Sequence, residues 1–353
     1  MSSIQNRINT FSELGKFLNQ FSRKEVKKGE NILNNELFFD GFKHQMKLAK
    51  ENNSWFTKEN ILFSLESWTK ALSKVNLNTW IKSSYVSNQS SKTIAIIMAG
   101  NIPLVGFHDF LSVLISGHSV LVKQSSNDKH LLPFLAKYLE HADESFKGKI
   151  TFTEEKLEGY DAVIATGSNN TARYFEYYFK DKPNIIRKNR NSVAVIQGNE
   201  SEQDFENLSE DIFWFFGLGC RSVSKLFVPR NFNFDLFFQG MYNQRDKMNN
   251  AKYANNYDYN KAVYLMSEFD ILENGFLMIK EDESYASPIA TVFYEYYDDA
   301  ENLKIKLHED QDKIQCIVAN NFIENEIKFG QTQHPKLWDY ADGINTLEFL
   351  STI

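Results

Sequence analysis

Apolar side chains recur at three- and four-residue steps at the start of the chain. Ile8, Phe11, Leu14, Leu18 and Phe21 fall on one helical face, and after a polar break Phe38, Phe39, Phe42, Met46 and Leu48 continue the period. Thr57 has the chemistry of an N-cap, and Ile61, Leu62, Leu65, Trp68 and Leu72 follow it on one face. Residues 4 to about 88 are expected to be helical, a cap or packing arm without a polar cluster of catalytic spacing.

At Lys92 the pattern changes. Thr93-Ile94-Ala95-Ile96-Ile97-Met98 is a continuous apolar run, as in a strand buried on both faces, and it ends in Ala99-Gly100-Asn101-Ile102-Pro103 before a helical stretch. Ser119 to Lys123 reads as a second strand, followed by the polar Gln124-Ser125-Ser126-Asn127-Asp128 and a helix over Leu131 to Leu139. Ile150 to Phe152 and Ala162 to Ala165 give a third and a fourth strand, the latter running into Thr166-Gly167-Ser168, and Ser192 to Ile196 gives a fifth. Strands alternating with helices predict right-handed crossovers and a mostly parallel sheet, whose ligands bind beyond the carboxyl ends of the strands. Beyond residue 220 a second α/β part is expected, with strands at Lys225 to Val228, Ile289 to Tyr294 and Lys313 to Val318. Asn243 to Tyr259 reads as a surface loop or an exposed helix.

The pattern divides the chain into a helical N-terminal region (1–90), a nucleotide-binding α/β domain (91–197), a catalytic α/β domain (198–325) and a C-terminal tail (326–353). At 353 residues and 42% hydrophobic the chain can bury cores of that number. With 39 Lys and Arg against 46 Asp and Glu, the net charge of −7 gives no reason to expect a nucleic-acid partner. The opening Met1 to Arg7 lacks the pattern of a secretory signal, and no apolar run reaches the length of a membrane span. Cys220 and Cys316 match neither a metal spacing nor a disulfide framework, so no metal is expected, and a reducing, cytoplasmic setting is.

Three polar clusters stand at predicted strand ends: Gly100 and Asn101; Lys123, Gln124, Ser125 and Ser126; and Thr166, Gly167 and Ser168. On one rim they would offer a cation, hydroxyls and N–H groups to a nucleotide; taken singly, Thr166 to Ser168 equally suits a turn with a helix cap. The chain has neither the Gly-x-Gly-x-x-Gly fingerprint nor a P-loop. In Phe215-Phe216-Gly217-Leu218-Gly219-Cys220-Arg221, flanking glycine leaves the thiol open to attack on a substrate, and Arg221 is compatible with a lowered thiol pKa. A small buried cysteine is the other reading of Cys220.

The order Asn-x-Pro after the first strand, a strand ending in Lys, Thr-Gly-Ser and then Gly-x-Gly-Cys-Arg resembles the aldehyde dehydrogenase superfamily. Gly217 to Lys225, with Phe329-Gly330-Gln331-Thr332-Gln333-His334-Pro335 and Asp339 to Gly343, is similar to the LuxC-type acyl-CoA reductases. The resemblance implies an aldehyde-dehydrogenase-like fold and NADPH-dependent reduction of a long-chain acyl-CoA to the aldehyde through an acyl-cysteine. It assigns Cys220 as the nucleophile and Asn101 as the oxyanion-hole amide. It gives Lys123 to the adenosine ribose or its phosphate, and Thr166, Gly167 and Ser168 to the turn against the cofactor. Members of that superfamily usually form dimers, so the resemblance allows a homodimer and leaves the oligomeric state open. Gln331, His334 and Asp339 could line the acyl entrance, though surface or packing roles suit them better.

Oxidising members of that superfamily hold a water-activating glutamate before the fifth strand. Here Ile185-Ile186-Arg187-Lys188-Asn189-Arg190-Asn191-Ser192 contains no carboxylate, so a thioester should survive to exchange with coenzyme A. After Lys123 the first acid is Asp128, which leaves room for a 2′-phosphate and so for NADP(H). A CoA-independent aldehyde dehydrogenase and a non-catalytic nucleotide-binding subunit of the same fold are the alternatives.

Overall fold

The computed structural model describes residues 3–83 and 90–353, so the end of the expected helical span, 84 to 88, lies outside the described residues. The chain forms two compact units, residues 1–188 with 336–353, and residues 189–335.

The first unit opens with four helices: α1 (Ile4–Leu18), α2 (Asn35–Asn52), α3 (Lys58–Ala71) and α4 (Lys74–Ser83). Thr57 caps α3 as its position predicts, its Oγ1 accepting the Asn60 N–H at 3.2 Å. The periodic apolar positions become an aromatic core in which Phe17 stacks on Tyr138 at 4.7 Å between ring centres and Phe21 on Phe39 at 5.0 Å. Then follow β1 (Thr93–Ile97), α5 (Phe107–Ile115), β2 (Ser119–Lys123), α6 (Leu131–Ala142), β3 (Ile150–Phe152), β4 (Ala162–Thr166), α7 (Asn169–Tyr178) and β5 (Asn184–Arg187). The sheet runs β3-β2-β1-β4-β5 with every pairing parallel. Ile94 and Ile96 face the helical core, while Ala95, Val163 and Ala165 pack on the other face against Phe175 and Phe179. That two-sided burial is why β1 reads as an uninterrupted apolar run.

Residues 336–353 return to this unit and end in α12 (Thr346–Ser351). Leu337, Leu347 and Leu350 join the helical core, and the Trp80 indole donates to the Tyr340 hydroxyl at 2.7 Å.

The second unit contains β6 (Asn191–Val195), α8 (Glu202–Phe213), β7 (Val223–Pro229), α9 (Asp235–Met241), α10 (Ala251–Met266), β8 (Ile271–Glu273), β9 (Met278–Glu281), β10 (Thr291–Tyr297), α11 (Ala300–Glu309) and β11 (Ile314–Val318). Its sheet runs β11-β6-β7-β10-β9-β8, antiparallel only between β8 and β9.

One expectation changes here and another is sharpened. The strand expected over Ser192 to Ile196 as the fifth of the nucleotide-binding sheet lies instead in the second sheet, between β11 and β7. The fifth strand of the first sheet is β5, a four-residue edge strand flanked by polar residues, too short for an apolar run to reveal. Asn243 to Tyr259 is helical and lies mostly at the surface, a 3₁₀ segment with no buried residue followed by much of α10, but Tyr253 and Tyr257 turn inward and are buried.

Candidate functional site

In the first unit β2, β1 and β4 are neighbours, so parallel pairing sets Lys123, the Ile97–Asn101 segment and Thr166 at one edge of the sheet. The loops after β1 and β2 touch. A Cβ built on Gly100 would lie 2.5 Å from Ser125 Oγ and 3.3 Å from Asn127 Cβ, so any larger residue would push the two loops apart. The Lys123 ammonium donates to the Glu155 carbonyl at 3.0 Å, and the Gln124 amide to the Asp128 carbonyl at 3.0 Å. Ser126 is exposed, its carbonyl accepting from Asn52 at the end of α2. Ser168 caps α7, its Oγ accepting the Thr171 N–H at 3.2 Å, so the capped-turn reading of Thr166 to Ser168 describes this hydroxyl.

Asn101 is exposed at the head of a braced loop. Ser64 Oγ donates to the Pro103 carbonyl at 2.9 Å, and Asp128 Oδ2 accepts the Leu104 N–H at 2.8 Å, holding a leucine whose φ is +59°. Asp128 is buried, and its Oδ1 has no hydrogen-bond partner. Burial pushes its carboxyl up to about 6, against the pull of the Leu104 bond. The first acid after Lys123 thus faces the protein interior. A loop cradle that a Cβ would fill, at the carboxyl ends of three adjacent parallel strands, with no acid on its exposed side between Lys123 and Asn127, suits a dinucleotide phosphate.

In the second unit α8 ends at Phe213, and Phe215, Phe216 and Gly217 then take left-handed φ values of 55°, 58° and 75°. Two consecutive bulky residues in that region are strained, a condition that persists only where surrounding packing imposes it. Both phenylalanines are buried, which supplies that packing. The reversal delivers Cys220 to an exposed position just before β7. Ser192, fully buried in β6, donates to the Cys220 carbonyl at 2.9 Å and fixes the backbone there. The Arg221 guanidinium reaches the buried Cys316 sulfur at 3.2 Å, so part of its charge is turned toward β11. Lys225 is an interior residue: burial lowers its pKa, while Glu295, bonded at 2.6 Å, raises it.

Asp211 was not singled out by the sequence reading. It is fully buried at the end of α8, where its carboxylate accepts the Gly330 N–H at 2.6 Å, the Thr332 N–H at 2.9 Å and the Thr332 hydroxyl at 2.7 Å. Gln333, next in the chain, reaches Ser222 Oγ at 3.4 Å, so this strap meets the loop that carries Cys220. Gln331 and His334 are exposed on either side, and Asp339 belongs to the first unit, accepting the Lys336 N–H. Burial pushes the Asp211 carboxyl up to about 6, partly offset by its three donors. Its sequence signal was an acid heading the apolar run Ile212 to Phe216. Because the folded pKa exceeds the ordinary aspartate value, this group favours the folded state fully below that ordinary value, a contribution lost as pH rises through about 6. Asp211→Ala strips the acceptor from three donors, and a loss of about 3 kcal/mol is expected in urea unfolding at neutral pH. A change below about 0.5 kcal/mol would show that the strap is held by other contacts.

No group of three or more metal-ligating side chains, and no helix long and apolar enough to cross a membrane, occurs among the described residues. The family described as Acyl-CoA reductase (LuxC) matches residues 3–318. A long-chain acyl-protein thioester reductase of Aliivibrio fischeri is 23% identical over 223 residues, 56% of this chain but only 45% of that relative. Among solved structures, aldehyde dehydrogenase 21 from Physcomitrella patens superimposes with a TM-score of 0.64 at 10% identity, over 92% of this chain and 75% of that one. A Mycobacterium tuberculosis aldehyde dehydrogenase complexed with NAD+ gives 0.62 at 13%, over 94% and 76%. Identity this low carries the fold alone, whereas the family match spans nearly the whole chain. With an exposed cysteine before β7 and a parallel five-stranded sheet in its first unit, the chain belongs to the LuxC acyl-CoA reductase family and has the aldehyde dehydrogenase fold.

Proposed function

We propose that the protein reduces a long-chain acyl-CoA to the aldehyde, with Cys220 carrying the acyl group as a thioester. The observation that carries this reading is the exposure of Cys220 on a loop fixed by Ser192 and reversed at Phe215 to Gly217, in a chain of this family. The thiolate attacks the thioester carbonyl, coenzyme A leaves, and Asn101 is assigned to donate its amide to the carbonyl oxygen. Nicotinamide, when bound, supplies the hydride that converts the acyl carbonyl to the aldehyde. Gly100, Lys123, Gln124, Ser125 and Ser126, with Thr166, Gly167 and Ser168, are assigned to hold that cofactor in the first unit.

Where an oxidising relative would place its glutamate, Arg187 is buried against Asp109, with Nη2 at 2.7 Å from the carboxylate. That segment provides no base to activate water, which favours acyl transfer over hydrolysis. Mixing the protein with a labelled acyl-CoA should leave label on Cys220. Turnover of aldehyde with NADP+ but without coenzyme A would favour the CoA-independent dehydrogenase instead.

Asp128 bears on the cofactor's phosphate. An acid gripping the ribose hydroxyls repels a 2′-phosphate, and the first one here is turned inward. NADPH is therefore expected to exceed NADH by at least about tenfold in kcat/KM at limiting cofactor. Equal values would remove the NADP(H) assignment.

A further inference from the structure

The second unit contains a cavity of about 250 Å³ whose walls include residues two or more positions before and after the nucleophile, though not Cys220 itself. Gly217 and Leu218 line it before Cys220 in the chain, and Val223 and Ser224 line it after. The end of α8, residue Tyr253 of α10 and residues 287–292 leading into β10 complete it. A larger depression of about 740 Å³ in the first unit is lined only by residues 28–37 of one surface segment, and it holds no candidate chemistry.

The lining of the smaller cavity decides what class of ligand it can take. None of its residues is an Asp, Glu, Lys, Arg or His. Three of its four polar side chains are engaged: Ser224 Oγ donates to the Tyr285 carbonyl at 2.7 Å, Ser287 Oγ to the Thr291 carbonyl at 2.6 Å, and the Tyr253 hydroxyl to the Phe276 carbonyl at 2.9 Å, while the fourth, Thr291, carries a buried hydroxyl with no hydrogen-bond partner and no charge. Burial raises the Tyr253 pKa, so that phenol stays neutral. A coenzyme A phosphate would find no counter-charge here, whereas a hydrocarbon would meet Phe213, Phe216, Leu218, Leu277, Ile289 and Val292.

We infer that this cavity receives the hydrocarbon tail of the acyl group and sets the chain length the enzyme prefers, an inference that rests on Cys220 being the acylated residue. At a water's share of liquid volume, ~30 Å³, the space holds about eight methylene-sized groups. Tails up to about that length are enclosed, and longer ones extend past the rim.

The test is a ladder of straight-chain acyl-CoA esters with the wild-type protein and with Ile289→Trp, which fills the cavity from a half-buried lining position. For the wild type, kcat/KM for acylation should climb about fourfold per added carbon until about eight are enclosed, then level. In Ile289→Trp the break should move to shorter chains. Calorimetric titration with decanol, which needs no reaction, should show saturable binding to the wild type that weakens at least about tenfold in the variant. A flat wild-type ladder together with no decanol binding overturns the inference, even if Ile289→Trp does not fold. If no ester acylates Cys220 but decanol still binds and is lost on filling the cavity, the apolar site stands while the acyl-transfer reading of Cys220 fails.

Discussion

Cys220→Ala is expected to abolish both the covalent acyl adduct and aldehyde formation, a loss of at least about 10⁴-fold in kcat. The size follows from the role: without the sulfur no thioester forms, and the rest of the site can only align reactants that no longer share a covalent path. Cys220→Ser tests the atom and not the space. Its hydroxyl occupies nearly the same volume but is a far weaker nucleophile at neutral pH, so an almost equal loss is expected. The two cysteines differ in exposure, which supplies an independent control. Iodoacetamide should modify exposed Cys220 well before Cys316, which is buried in β11 with Arg221 at its sulfur. A Cys220→Ala protein that still made aldehyde from acyl-CoA would end the proposed mechanism. Equal labelling of the two cysteines would remove the special status of the Cys220 loop.

The features legible in the sequence were those written in local periodicity. The helical lead, the cap at Thr57 and strands β1 to β4 follow from apolar spacing and breaker residues, because each depends on neighbours a few positions away. The two strands between Asn184 and Val195 show where that ends. Both lie in parallel pairs, but the pattern of β6 states only that it is buried on both faces, which is true in either sheet. Its partners Ile314 to Val318 and Val223 to Pro229 come later in the chain, and no local signal names them. Tyr253 and Tyr257 were misread because tyrosine carries a hydroxyl that can sit in water or reach a partner inside. In α10 the Tyr253 hydroxyl reaches the buried Phe276 carbonyl.

The buried carboxylates were missed for the same reason. Asp109 and Asp211 stand in or beside an apolar run and Asp128 in a polar stretch, and in either setting a single acid reads as a solvent-facing position. Each instead accepts bonds from distant groups: Arg187 for Asp109, Leu104 for Asp128, and Gly330 with Thr332 for Asp211. Asp128 braces the loop that carries Asn101, and Asp211 holds the strap whose Gln333 meets the loop that carries Cys220. The candidate chemistry was therefore legible in its exposed residues, while the interior acids supporting it depended on contacts between segments far apart in sequence.

The largest effect on stability is expected at Arg187. Its guanidinium makes two bonds to Asp109, at 2.7 and 3.4 Å, and donates to the Ala341 carbonyl at 2.7 Å and to Thr346 Oγ1 at 3.0 Å. It thereby joins α5, β5 and the returning C-terminal segment within the first unit. Asp109→Ala leaves that buried cation without its counter-ion and should cost about 3–5 kcal/mol in denaturant unfolding. A pair that is expensive to break need not be expensive to replace. Asp109→Leu combined with Arg187→Met removes both charges and should recover a large part of the loss, although the two acceptors in the tail then lose their donor. Arg187→Glu separates a structural account of this position from a purely chemical one. It restores an acid to the segment where oxidising relatives carry theirs, but sets it against Asp109 in the interior, so the expected product is a protein destabilised by at least the same 3–5 kcal/mol and without hydrolytic activity. A stable Arg187→Glu protein that oxidised aldehydes without coenzyme A would show that the missing base alone separates the two reactions, and that the ion pair is dispensable to the fold.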